Sequence, residues 1–304
     1  MKIAIHGLGR MGMQIAEKLA TDGHEVVAHN RSPEPIEHAK GFGAKAAFTK
    51  QEVLDAFQGE RLVLWIMLPA EVVESELQAW LDVAPQGSLF IDGGNTDFRR
   101  TQKHAEAVAQ RGSTLLDVGT SGGIMGTEHG FCMMAGGNEA DVESIKPALD
   151  SIAKPEGGWD YFGPSGAGHF VKMTHNAIEY GMMESLAEGY RVLKEGPYES
   201  LDLAKAGDVW QKSSVITSTL NALTAEALHE NPTLDGITGF VAESGEARWT
   251  LEIAKEHGIP MPSIQASFDV RVASQKGETS FATKLLAAMR NKFGGHALNK
   301  QGRA

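Results

Sequence analysis

Ile3-Ala4-Ile5-His6-Gly7-Leu8-Gly9-Arg10-Met11-Gly12 opens the chain with a short apolar run that leads directly into G-x-G-x-x-G. Three glycines at this spacing are a weak pattern alone. After a strand and at the mouth of a helix they form a dinucleotide-binding turn. Ile3 to Ile5 reads as a buried strand, and Met11, Ile15 and Leu19 recur at helical spacing over residues 11–20. Gly7 permits the tight turn, Gly9 lets the backbone approach a pyrophosphate, and Gly12 lets helix pack closely on sheet. The helix start offers free N–H groups to the phosphates, with Leu8, Arg10 and Met11 in the same turn.

Outward from this turn, strand-like runs at 25–29, 62–68, 88–92 and 115–118 are interleaved with amphipathic stretches at 71–83 and 98–111, and 130–135 adds one more strand. Strand alternating with helix predicts a doubly wound parallel sheet. A glycine-rich turn around Gly163, Pro164, Gly166 and Gly168 follows, and beyond it every patterned segment is helical: 170–193, 203–209, 217–229, 246–257, 263–274 and 280–292. The expected fold is an α/β Rossmann N-terminal domain, residues 1–164. An all-α C-terminal domain, residues 165–304, follows it.

With 304 residues the chain is too long for one small core, and 42% hydrophobic residues place it among globular proteins. A net charge of −11 argues against nucleic acid as a partner. An anionic substrate would need a few cations placed locally. The single cysteine, Cys132, sits in Phe131-Cys132-Met133-Met134 and is expected to be a small buried hydrophobe; it rules out a disulfide framework, and no metal-ligand cluster is evident. The longest apolar run, 62–68, is too short to span a bilayer, and the N-terminus shows no signal-peptide cleavage pattern. A cytoplasmic protein with no membrane partner is expected.

The second strand ends in His29-Asn30-Arg31-Ser32, without the acid that would grip a ribose 2′-hydroxyl. Arg31 suits a 2′-phosphate, which favours NADP, while the nearby Glu34 keeps NAD open. Met67-Leu68-Pro69 ends another strand and is expected to line the cofactor crevice.

The remaining chemistry lies in Gly166-Ala167-Gly168-His169-Phe170-Val171-Lys172-Met173-Thr174-His175-Asn176-Ala177-Ile178-Glu179-Tyr180. Lys172, His175, Asn176, Glu179 and Tyr180 stand at i, i+3, i+4, i+7 and i+8, one face of a helix. The other faces are apolar, so the helix is expected to be buried on most sides, with a polar stripe lining a cleft.

This segment resembles the catalytic helix of the decarboxylating 6-phosphogluconate dehydrogenases, G-x-G-H-x-x-K-x-x-H-N-x-I-E-Y. Ile91-Asp92-Gly93-Gly94-Asn95 is similar to the family's I-D-G-G-N. Val118 to Gly123, with Gly126, is similar to its V-S-G-G-x-x-G loop, and Arg290 to His296 to its R-x-x-F-G-x-H element. The resemblance spans nearly the whole chain and marks the short subgroup of the β-hydroxyacid dehydrogenase superfamily. It implies oxidative decarboxylation of 6-phosphogluconate to ribulose 5-phosphate and carbon dioxide, with NADP or NAD reduced, as a step of pentose phosphate or gluconate metabolism.

By the same resemblance Lys172 is the base for the C3 hydroxyl, and Glu179 the acid that protonates C1. A free lysine has a pKa of about 10.4, so Lys172 needs desolvation or a nearby cation to start neutral. Ser121, Gly122 and Gly123 would bind the carboxylate. Asn95, His175 and Asn176 would bind hydroxyls, with Asn95 also near the cofactor. Tyr180, Arg271, Arg290 and His296 would hold the phosphate.

Long forms of the family carry Lys-Gly-Thr where this chain has Ser244-Gly245-Glu246. Glu246 is therefore expected to point away from the phosphate, which would lean on Arg271 and Arg290. In the long forms the C-terminal Arg and His reach the neighbouring subunit. If the same holds here, Arg290 and His296 act in trans and the functional unit is at least a homodimer. Two other readings are a 3-hydroxyisobutyrate-type dehydrogenase, which would lack His175, Glu179, Tyr180 and the Arg290–His296 set, and a non-catalytic dinucleotide-binding scaffold, which would have lost Lys172.

Overall fold

The computed structural model describes residues 1–198, 200–296 and 298. The chain divides into two compact units, Met1–Met173 and Thr174–Ala304. The expected boundary at 165 falls in the turn before the long helix that begins at Ala167, whereas the units divide within that helix. The end of the expected helical domain, residues 299–304, lies outside the described residues.

The first unit runs β1 (Lys2–His6), α1 (Arg10–Thr21), β2 (Glu25–His29), α2 (Pro33–Ala39), β3 (Lys45–Ala47), α3 (Lys50–Phe57), β4 (Val63–Ile66), α4 (Ala70–Leu81), β5 (Leu89–Asp92), α5 (Phe98–Gln110), β6 (Thr114–Ser121), α6 (Gly126–His129), β7 (Cys132–Gly136), α7 (Glu139–Ser144), α8 (Lys146–Ala153) and β8 (Gly158–Tyr161). The strands form one eight-stranded sheet in the order β3-β2-β1-β4-β5-β6-β7-β8. All neighbours pair in parallel except β6 and β7. The β6–β7 connection, residues 122–131, is shorter than the roughly dozen residues a parallel crossover needs, so β7 returns antiparallel.

Both faces of the sheet are covered, and alternate strand residues feed two apolar layers. Ile3, Ile5, Trp65 and Ile91 pack with Ile15 and Leu19 of α1 and with Leu149 and Ile152 of α8. Ala4, Leu64, Ile66 and Phe90 pack on the other side with Val53, Leu77 and Trp80. Helix α3 begins at Thr49, whose hydroxyl accepts the Glu52 N–H at 3.1 Å. The expected burial of Cys132 does not hold: it is exposed, because it is the first residue of β7, where the sheet emerges at the 122–131 connection.

Two histidines end β1 and β2 beneath the glycine turn. His6 and His29 are buried, with ring centroids 4.9 Å apart. The Trp80 indole N–H donates to His6 Nδ1 at 2.7 Å, and His29 Nδ1 donates to the Ala47 carbonyl at 2.9 Å. An acceptor role at Nδ1 makes His6 a neutral imidazole.

The second unit continues the long helix α9 (Ala167–Glu195) and adds α10 (Leu203–Trp210), α11 (Thr219–Glu230), α12 (Glu246–Glu256), α13 (Pro262–Gln275) and α14 (Phe281–Gly294). Its core joins Met183, Ala187 and Tyr190 of α9 to Leu228 and to Leu285, Leu286 and Met289 of α14. Among the described residues no helix is long and apolar enough to cross a membrane. The expectation that α9 is buried on most sides needs correction. Met173, Ala177 and Met183 are buried, but Phe170, Ile178 and Met182 are 39%, 52% and 46% exposed. Apolar residues on every side show that a helix avoids water, without showing whether its own chain covers each side.

Burial, followed by the charge of His29, pulls His6 down to about 4, and burial also lowers His29. Both folded values lie below the unfolded one, so the unfolded chain binds more protons as the pH falls below about 6.5. This stability is present in full above that pH and is lost toward pH 4, on the order of 3 kcal/mol for His6. Urea unfolding measured from pH 7 to pH 4.5 should show the loss, and His6→Asn should flatten the slope.

Candidate active site

The first unit gathers the expected cofactor residues at the carboxyl ends of β1, β2, β4 and β5. The strand order reverses between β1 and β4, where a doubly wound sheet opens a crevice. Gly7 has φ +101°, and a Cβ there would lie 2.4 Å from the Met67 carbonyl oxygen. A Cβ on Gly12 would lie 2.0 Å from the Gly7 oxygen, so only glycine lets α1 meet the turn. Gly9 caps α1, and a Cβ there would meet nothing within 4 Å, which leaves its backbone approachable. Arg10 and Met11 form the first residues of α1.

Asn30 Oδ1 accepts the Leu8 N–H at 3.1 Å while its amide donates to the Ser32 carbonyl at 3.2 Å, tying the β2 end to the glycine turn. Arg31 is exposed. Met67 is half-buried, and its sulfur accepts the Trp65 indole N–H at 3.1 Å; Leu68 and Pro69 lead into α4. These residues fit a dinucleotide.

Asp92 and Asp117 are register partners at the end of β5 and within β6, and both are fully buried. Asp92 accepts the Gly94 N–H at 3.1 Å and the Thr96 hydroxyl at 2.7 Å, which shapes the turn that exposes Asn95. Asp117 accepts the Gly166 and His169 N–H groups at 2.8 and 2.9 Å, binding the start of α9 to β6. A Cβ on Gly168 would lie 2.3 Å from the Met134 oxygen, and one on Gly119 would lie 2.4 Å from Lys172 Cβ. Lys172 is 5% exposed and crosses β6 over Gly119. The Ser121-Gly122-Gly123 turn leaves β6 with φ +151° and +56° at its glycines. Gln14 of α1 donates to the Gly123 carbonyl at 3.3 Å and accepts from Thr127 at 2.9 Å, holding that turn.

The second unit assembles the rest. His175 Nδ1 lies 2.9 Å from Asn176 Oδ1, and the Asn176 amide donates to Glu246 Oε1 at 3.0 Å. Glu246 is buried in the first turn of α12, against the stripe. Tyr180 is buried, and its hydroxyl accepts the Ser244 N–H at 3.3 Å. The Arg271 guanidinium lies 3.2 Å from the Tyr180 ring centroid and is 1% exposed. Its Nη1 is buried without a hydrogen-bond partner.

Arg290 is buried, in the field of Tyr180, Glu179 and Glu246. Glu179 is half-buried. His296 follows the left-handed cap Gly295 and stands edge-on to Phe293 at 6.2 Å.

Sequence reading assigned no part to Asp117, Gln14 or Ser244, or to Gly119 as a seat for Lys172. Asp117 alone carried a signal, a charged residue inside an apolar strand. Among the described residues no group of three or more His, Cys, Asp or Glu is arranged to hold a metal ion.

Burial pulls Arg271 down to about 10 and lowers Arg290 as well. Two desolvated guanidiniums near Tyr180 have the chemistry to take an anion. Inorganic phosphate at tenfold its Kd should raise Tm by about 3 °C. Arg271→Met should fold and lose that shift in thermal melts.

Two family models match the chain. The NAD binding domain of 6-phosphogluconate dehydrogenase matches residues 2–166, and the 6-phosphogluconate dehydrogenase C-terminal domain matches residues 168–301. A Bacillus subtilis relative named as a 6-phosphogluconate dehydrogenase is 36% identical, covering 99% of this chain and 100% of its own. An NAD(+)-dependent, decarboxylating 6-phosphogluconate dehydrogenase of Haloferax volcanii is 35% identical, covering 99% of each chain. The solved 6-phosphogluconate dehydrogenase of Plasmodium falciparum superimposes with a TM-score of 0.80 at 24% identity, covering 91% of this chain and 63% of that one, a likeness of fold. Both halves and the full length agree: the chain belongs to the 6-phosphogluconate dehydrogenase family.

Proposed function

We propose that this protein oxidatively decarboxylates 6-phosphogluconate to ribulose 5-phosphate and carbon dioxide. The observation that carries this reading is α9, which sets Lys172 one turn before His175 and Asn176 and two turns before Glu179 and Tyr180. A nicotinamide dinucleotide held by the glycine turn would supply the hydride acceptor for C3 of the substrate. Lys172 takes the C3 hydroxyl proton as the ketone forms. The resulting 3-keto acid loses carbon dioxide, and the protonated Lys172 stabilises the developing enolate oxygen. Glu179 gives a proton to C1 of the enediol.

Gly122 and Gly123 turn their N–H groups toward the substrate carboxylate with Ser121. Asn95, His175 and Asn176 bind hydroxyls, and Tyr180, Arg271, Arg290 and His296 take the phosphate. The glycine turn, Asn30, Arg31, Ser32 and Met67 to Pro69 hold the dinucleotide, and Arg31 favours NADP. A 3-hydroxyisobutyrate-type reading is not favoured, because the full-length relatives above 30% identity are named for 6-phosphogluconate.

The exposed apolar face of α9, Phe170, Ile178 and Met182, supports a homodimer in which a second copy covers it. A phosphorylated sugar acid and a nicotinamide cofactor suit a cytoplasmic enzyme.

Purified protein given 6-phosphogluconate with NADP or NAD should produce reduced cofactor and carbon dioxide in equal amounts. Lys172→Met should lower kcat by about a thousandfold. Arg31→Ser should lower kcat/KM with NADP by about tenfold or more and leave NAD unchanged. No turnover with either cofactor would remove the reading.

A further inference from the structure

Glu246 is a buried carboxylate with only half its hydrogen-bonding satisfied. It is 2% exposed. Oε1 accepts one neutral amide, from Asn176 at 3.0 Å, and Oε2 is buried without a hydrogen-bond partner. Removing a carboxylate oxygen from water without a donor is costly, and such groups persist where something else supplies the donor. Ionised, it is acceptor-only, so its missing partner is an O–H or N–H group.

The surroundings narrow that partner. Asn176 belongs to the stripe of α9, and the charge of Glu246 is felt at Arg290. The other groups assembled here, Arg271, Arg290 and the Tyr180 hydroxyl, suit an anion. A phosphate oxygen facing Glu246 would be repelled. A hydroxyl on the chain that bears the phosphate would instead donate to Oε2 while accepting from a nearby amide.

We propose that Glu246 is a substrate-binding residue whose Oε2 accepts a hydrogen bond from a hydroxyl of the polyol chain. Arg271 and Arg290 take the phosphate farther along that chain. This rests on the assignment of a phosphorylated sugar acid as substrate. Glu246 then contributes to specificity: a buried acceptor that must be paired discriminates strongly against a chain lacking the hydroxyl.

Thermal melts test this on the full chain with three probes: inorganic phosphate, 6-phosphogluconate and sorbitol 6-phosphate. In the wild type the hydroxylated phosphates should stabilise more than inorganic phosphate does. Glu246→Gln is isosteric but puts an amide where the acceptor stood. It should shrink that excess for both sugar phosphates, keep the inorganic phosphate shift, and lower kcat/KM for 6-phosphogluconate by about thirtyfold or more. Glu246→Asp, which keeps the charge and withdraws the oxygen, should fall between.

An excess undiminished in Glu246→Gln overturns the proposal, as does the absence of any excess in the wild type. A wild type stabilised by the sugar phosphates but unable to reduce either cofactor overturns the assigned reaction alone.

Discussion

Asp117 has no access to water, and both its oxygens are occupied by the N–H groups of Gly166 and His169. Those are donors that a helix start leaves without intrahelical partners. The carboxylate thus meets two needs, its own desolvation and the exposed amides of α9. Gly168 lets the first turn lie on the backbone of β6 and β7, and Gly119 leaves room for the Lys172 stem. Once that turn is seated, the rest of α9 follows from its regular spacing, and so does the order of Lys172, His175, Asn176, Glu179 and Tyr180 along one face.

The second unit shows how an acidic protein keeps cations available for an anion. Arg271 is buried against the face of Tyr180. Glu184, one turn beyond Tyr180, is pushed up to about 7 by burial and by the charge of Glu188. Ser244 holds the Tyr180 hydroxyl through its backbone N–H.

Much of this was legible in the sequence because it depends on local pattern. The glycine turn, the alternation of strand and helix, and the stripe on α9 follow from spacing alone. Strand β3, with only Lys45-Ala46-Ala47, has no periodicity to detect, and it exists because β2 offers an edge to pair with. The exposure of Cys132 was hidden because apolar neighbours do not reveal where a sheet surfaces. The contact of Glu246 with the Asn176 amide was hidden because the two lie 70 residues apart in sequence. The uncovered face of α9 was missed because composition cannot tell which molecule provides the cover.

The single unbroken helix also limits how this protein can change over time. Each residue of an α-helix turns the chain by about 100°. Inserting or deleting one residue between Lys172 and Glu179 would swing every later group on the stripe to another side, while Asp117 still held the start in place. Loops elsewhere can lengthen or shorten at little expense. In this segment length is frozen, and descendants of the gene can vary it only by substitution.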